Sequence, residues 1–277
     1  MSNLFGNGQI SMKKIATLPG KMHETSGLVL YKNKYLITHN DGGNKSEIYI
    51  LNLKGEHIRT IDVDEAKNTD WEDLTTDDEG RLYIGDFGNN LNKREKCHIY
   101  ILRKDFMQDD NDRVNAEEIT FTYEDQKKYP PSKEDLNYDC EGFVCVKDKL
   151  YLFTKCRTKP FTGISYVYEL DIHPGKQEAK RVGKIQLCKL GWKFCSVTAA
   201  DYFPKSDLLV LLTYSRMYIV KGFQDNKFWT GTIRSYQLPI IKQREAICFD
   251  GEDSVYMTDE YRKGLGGGNL YHIEIKK

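Results

Sequence analysis

Five side chains that carry oxygen stand at matching places in five copies of one short phrase: ETSGL at 24–28, DWEDL at 70–74, DCEGF at 139–143, SVTAADY at 196–202 and REAICF at 244–249. Aligned on the apolar residues that follow, the shared column is Ser26, Glu72, Glu141, Thr198 and Glu245. If the copies are sectors of a ring, these groups converge on one axis. Three carboxylates brought together repel, at about 4 kcal/mol per pair at 4 Å and an effective dielectric of about 20. Either protons or a cation must relieve that repulsion. Glutamate and hydroxyl oxygens without His or Cys make a hard site, and calcium accepts such donors in looser geometry than magnesium. The column is therefore expected to bind Ca2+. The alternative is that these groups hydrogen-bond backbone amides and stitch strand starts together.

Further candidates lie in the segments that should share a face with the column. Asp41, Asp86 and Asp259 could orient an attacking water as general bases. Lys155, Arg157 and Arg262 could hold an anionic group, with Trp71 or Trp192 as a stacking surface. The expected ligand is a small anionic substrate.

The elements that must position these residues read as strands. Each phrase opens an alternating apolar run, followed by a turn, a second strand, a polar loop and a third strand. SGLVLY, KYLITHN, EIYILNL and HIRTIDV show the pattern in the first repeat. Period-two alternation with Asn, Asp, Gly and Lys in the turns marks antiparallel strands. Four strands in a unit of about 45–50 residues is the signature of a propeller blade. The last repeat is one strand short, while ISMKKIATL at 10–18 is unclaimed at the other end. The expectation is an all-β fold, a five-bladed β-propeller over residues 1–277 as one domain, closed when the N-terminal strand completes the last blade. The polar stretches 105–118 and 124–138 read as solvated loops. GLGGGN at 264–269 precedes no helix and reads as a hairpin loop rather than a phosphate-binding turn.

Composition narrows the classes. The 277 residues balance 41 basic against 41 acidic side chains, which argues against general affinity for nucleic acid or membranes. No apolar run is long enough to span a bilayer. The N-terminal residues contain no signal-peptide core, so the chain is expected in the cytoplasm, or outside it if a leader has been removed. Seven cysteines without zinc spacing are expected to be buried free thiols. Oligomeric state has no signature.

The column Ser26, Glu72, Glu141, Thr198, Glu245 resembles that of the five-bladed, calcium-activated nucleotidases, the apyrase family, with Thr198 in place of a second Ser. RLYIGDFG after Glu72 is similar as well, and DWEDL with GDFGNN is also similar to uncharacterised bacterial propeller proteins. The resemblance implies one central calcium and a calcium-dependent hydrolase of phosphoanhydrides or phosphoesters. HNDGGN after the second strand of the first repeat departs from that family, which has an Arg there. Two other readings stand beside it. One is a lactonase or esterase-like propeller, whose metal site Asn40, Asp41 and Asn89 could imitate. The other is a non-catalytic scaffold or ligand-binding propeller with structural calcium.

Overall fold

A computed structural model describes residues 6–108, 111–264 and 266–276. Asp109 and Asp110 of the 105–118 stretch, Leu265 of GLGGGN and the first five residues lie outside it.

β1 (Gly6–Thr17) precedes β2 (Thr25–Tyr31), β3 (Tyr35–Asn40), β4 (Glu47–Asn52) and β5 (His57–Asp64). β6 (Trp71–Thr76), β7 (Leu82–Asp86) and β8 (Cys97–Leu102) follow, with short β9 (Arg113–Asn115) ahead of β10 (Glu117–Tyr123). Next come β11 (Asp139–Val146), β12 (Lys149–Lys155), β13 (Ile164–Asp171) and β14 (Gly175–Gln186). A single helical turn, α1 (Trp192–Cys195), leads to β15 (Ala199–Phe203), β16 (Leu208–Leu212), β17 (Arg216–Lys221) and β18 (Thr232–Gln237). β19 (Arg244–Gly251), β20 (Ser254–Asp259) and β21 (Asn269–Lys276) end the described chain.

These strands form an all-β, propeller-like fold of three hydrogen-bonded sheets. Two sheets have eight strands, in the orders β15-β16-β17-β18-β1-β21-β20-β19 and β11-β12-β13-β14-β10-β8-β7-β6. The third is β2-β3-β4-β5-β9. Each large sheet has one parallel junction, β18 with β1 and β14 with β10, and four antiparallel strands on either side of it. The expected separate four-stranded sheets are thus fused in pairs. The cause is length: β1 and β14 each run 12 residues, so they pair with their own neighbours and also with the next edge, whose amides and carbonyls would otherwise face solvent. β1 pairs antiparallel with β21 from Gln9 to Thr17, as expected of a closing strand.

The first strands β2, β6, β11, β15 and β19 pack side by side in that order, and β19 packs back against β2. Because successive side chains point to opposite faces of a strand, each serves two layers. Leu28 packs with Ala246, Cys248 and Leu270, while Val29 packs with Trp71, Leu74 and Ile84. Similar layers join Phe121 to Phe143, Phe153 to Tyr218, and Met217 to Met257. The core is therefore divided between sheet faces. Burying each large side chain contributes roughly 1.5–3 kcal/mol.

Five cysteines are buried free thiols, as expected. Cys188 and Cys195 depart from the expectation and form a disulfide, because α1 turns the chain back and leaves their Cα atoms 5.2 Å apart. Among the described residues, no helix is long and apolar enough to cross a membrane.

Candidate functional site: an acidic axial cavity

The column residues reach the axis through a repeated irregularity. Strand register shifts between Trp71 and Asp73, between Cys140 and Gly142, and between Arg244 and Ala246. The residue skipped each time is Glu72, Glu141 or Glu245. A β-bulge takes one residue out of the ladder and re-aims its side chain. All three glutamates line one cavity of about 600 Å³, together with Asp41, Glu260, Lys155, Arg157, Tyr214, Trp192 and Arg262. All three are buried.

Ser26 and Thr198 do something else. Each hydroxyl donates to a backbone carbonyl at the head of the next first strand, Ser26 to Glu72 and Thr198 to Arg244. They stitch neighbouring strands, and neither lines the cavity.

The glutamates divide into two environments. Glu141 Oε2 lies 2.7 Å from Lys155 Nζ, and Arg157 reaches Oε1 at 3.4 Å. Tyr214 donates to Glu245 Oε1 at 2.7 Å, and its ring lies under the Lys155 ammonium at 5.3 Å. Burial works against the Lys155 charge, but Glu141, Tyr214 and Glu245 around it hold its pKa well above the usual lysine range. Burial pushes the Glu141 carboxyl upward while Lys155 opposes the shift. Arg157 also pairs with buried Asp139, whose other oxygen accepts the Asn89 amide at 2.7 Å. This half of the mouth carries its own cations.

The other half is compensated more weakly, by Arg94 near Asp70 and by Arg262 at 3.8 Å from Glu260. Ligand oxygens of Asp41, Asp70 and Glu72 lie within 4.8 Å of one another, and those of Glu72, Asp139 and Glu141 form a second, overlapping cluster. Burial, then repulsion from Asp41 and Asp139, pushes Asp70 up to about 7. Burial, then Glu141, Asp41 and Asp70, raises Glu72 well above the carboxylate range. Asp41 is raised chiefly by burial. Glu260, also in the cavity, is pushed up to about 9 by burial and by Glu245. The chain makes room for this crowding. A Cβ on Gly88 would sit 2.5 Å from Asp70 Oδ2 and would strike Glu72 Oε1, and one on Gly42 would lie 2.8 Å from the Asp70 Cα. Both glycines follow second strands, in NDGG and GDFGN, so these motifs serve the carboxylates rather than a turn alone.

The donor set fits a hard divalent cation. It is all oxygen, closely spaced, and cradled where any side chain larger than hydrogen would intrude. These acidic clusters can hold a metal ion. Burial lowers the pKa of His39 to about 4, so it adds no positive charge beside the acids, and its ring packs edge-on against Trp71.

Asp41, Lys155, Arg157 and Arg262 thus meet the glutamates in one cavity. Asp86, Asp259 and Trp71 sit behind its wall. Asp86 Oδ1 accepts the Asp70 amide at 2.8 Å and pairs with Arg94 at 3.1 Å. Asp259 accepts from Asn269 and Tyr271 and pairs with Lys242 at 3.0 Å. The Trp71 indole donates to Lys67 O from a fully buried position. The sequence places Asp70 in a loop at the mouth but gives it no role, and it does not single out Tyr214 or Glu260. Asp70 is signalled by its place two residues before Glu72 in DWED. Sequence reasoning also passed over Asp73, a fully buried carboxylate that accepts amides from Leu74, Phe143 and Ala200 and so ties three first strands.

No family model and no curated protein matches the chain. Solved structures do. The PQQ-bound aldose sugar dehydrogenase of Streptomyces coelicolor is similar at a TM-score of 0.57 and 9% identity, covering 97% of this chain and 99% of that one. A protein of unknown function from Bacteroides thetaiotaomicron gives 0.51 at 8% identity, covering 98% and 77%. A protein provisionally assigned as a gluconolactonase gives 0.50 at 12% identity, covering 99% and 94%. At such identities the likeness concerns the fold alone, and the fold is that of a propeller.

Proposed function

We propose that the chain is a single-domain, five-bladed propeller that hydrolyses small lactones or esters at its axial cavity with the help of a bound divalent cation. Support for five blades comes from the closed order of first strands and from β1 completing the group of β19 to β21. The observation that carries the function is the division of the mouth: three crowded carboxylates, with no ion pair of their own among the described residues, lie beside a cavity that also holds a buried lysine–glutamate–tyrosine network.

Asp41, Asp70 and Glu72 would hold the cation, and their oxygen-only chemistry favours calcium. When bound, it supplies Lewis-acid polarisation of an ester carbonyl. Glu245 is placed to take a proton from water. Tyr214 fixes its Oε1 by a hydrogen bond, and burial raises its pKa. Lys155 offers a fixed positive charge to oxygen that becomes negative as water adds to the acyl carbon. The acyl C–O bond then breaks, and the proton held by Glu245 passes to the departing oxygen, leaving a hydroxy acid or an acid and an alcohol. Two of the propeller relatives, a sugar dehydrogenase and a provisionally assigned gluconolactonase, favour this reading over phosphoanhydride hydrolysis, which rests on the residue column alone.

A panel of γ- and δ-lactones and aryl esters, assayed with calcium and after chelation, tests the proposal. Chelation-sensitive hydrolysis that is lost in Glu245→Gln is expected. Flat activity beside a large calcium-dependent rise in Tm would instead favour the non-catalytic propeller with structural calcium.

A further inference from the structure

A second cavity, of about 610 Å³, adjoins the axial one and shares Asn90, Arg157 and Trp192 with it. Its chemistry differs from its neighbour's in the absence of acids. Five carboxylates and five cationic side chains line the axial cavity, whereas the second has no carboxylate and presents Lys93, Lys133 and Lys159 beside the shared Arg157. The ammonium groups of these three make no ion pair within 4 Å among the described residues, although Glu134 lies beside Lys133. Arg157 is different, because its guanidinium is already engaged by Asp139 and Glu141. The remaining walls are apolar, with Leu91, Pro131, Phe161 and the half-exposed Trp192.

These walls are held in place. The Arg157 amide donates to Leu136 O at 3.0 Å and the Lys159 amide to Lys133 O at 2.8 Å, pinning the 124–138 stretch against the segment after β12. The Cys188–Cys195 disulfide fixes the loop that carries Trp192. Stretch 124–138, expected to be a solvated loop, therefore builds one side of a cleft. Unpaired lysines over an apolar floor suit a ligand with one anionic group on an apolar body.

We propose that this cleft is a second ligand subsite. It takes the anionic, apolar end of an elongated substrate whose ester or lactone end lies among the axial carboxylates. The inference rests on the hydrolase reading for what happens at the far end, but occupancy of the cleft requires neither metal nor turnover. The anion is a carboxylate or a phosphate.

The test is calorimetric titration of the chelator-treated full chain with 4-phenylbutyrate, 2-phenylethyl phosphate and neutral 4-phenylbutanol. At least one anionic probe should bind about tenfold or more tightly than the alcohol, a difference of about 1.4 kcal/mol. That preference should shrink as salt is raised. The triple variant K93E/K133E/K159E, all at exposed positions, should lose the anionic binding about tenfold with an unchanged Tm. Glu72→Gln should leave it intact. Equal affinity for charged and neutral probes, no binding of any probe, or loss of binding in Glu72→Gln would each overturn the subsite. Lactone hydrolysis in the same preparations is scored separately, so failure of the reaction and failure of the cleft are distinguishable.

Discussion

Glu141 and Glu72 occupy the same bulged position at the heads of β11 and β6, yet they meet opposite company. Glu141 faces Lys155, the last residue of β12, which pairs with Asp139 and places an ammonium at 2.7 Å. Glu72 faces Asp70 and Asp41, held close by two glycines. Equivalent backbone positions therefore yield one half that is neutralised from within and another that gathers charge. The difference teaches that a repeated column in a ring need not act as one site. What each member does depends on the second strand beside it.

The comparison breaks most visibly at Lys155. Lys155→Met leaves Glu141 and Glu245 buried without their counter-charge and should cost about 3–5 kcal/mol, read from urea unfolding. The double variant Lys155→Met/Glu141→Gln should recover much of it. Glu72→Gln should act the other way. It removes an ionisable acid from the crowded half, so at alkaline pH the cation-free protein should melt higher, while calcium affinity should fall by about a hundredfold, or about 2.7 kcal/mol, by titration calorimetry.

Titration sharpens the same contrast. Asp70 and Glu260 have pKa values raised to about 7 and about 9, so the folded chain retains protons that the unfolded chain has already lost. Their contribution to stability is complete below about pH 4 and falls as pH rises through these values. His39, lowered to about 4, opposes this only below its ordinary value of about 6.5. Between pH 6.5 and 9 the chelated protein should therefore lose Tm steadily, and calcium should suppress the loss. A Tm that stays level over this range without calcium would argue against a crowded, weakly compensated half. Smallest is Tyr214→Phe, which removes one donor from Glu245 and should cost about 1 kcal/mol in urea unfolding, with little change in calcium affinity.

Much of this was legible before any coordinates. Alternation marked the strands, the repeated phrase marked the ring, and the unclaimed ISMKKIATL marked β1's pairing with β21. Glu72, Glu141 and Glu245 could be picked because they precede apolar runs in register. The bulges that aim them could not, since they sit at the strand heads, ahead of the apolar alternation that would record a shift of phase. Nor could the inward turn of Lys155. The sequence places Lys155 at the mouth as a holder of anions, but not buried against Glu141, and only the acids beside it make that burial tolerable. Asp86 and Asp259 looked like bases because they end second strands at the right height, but their oxygens anchor Arg94 and Lys242. The sheet fusion through β14 and β10 depends on strand length beyond the repeat, which the phrase does not encode.

The most direct test is anomalous scattering from a crystal equilibrated with calcium. The account predicts one ion in contact with Asp41, Asp70 and Glu72, with Lys155 still paired to Glu141. An ion bound instead between Glu141 and Glu245 with Lys155 displaced, or no ion at saturating calcium, would contradict it.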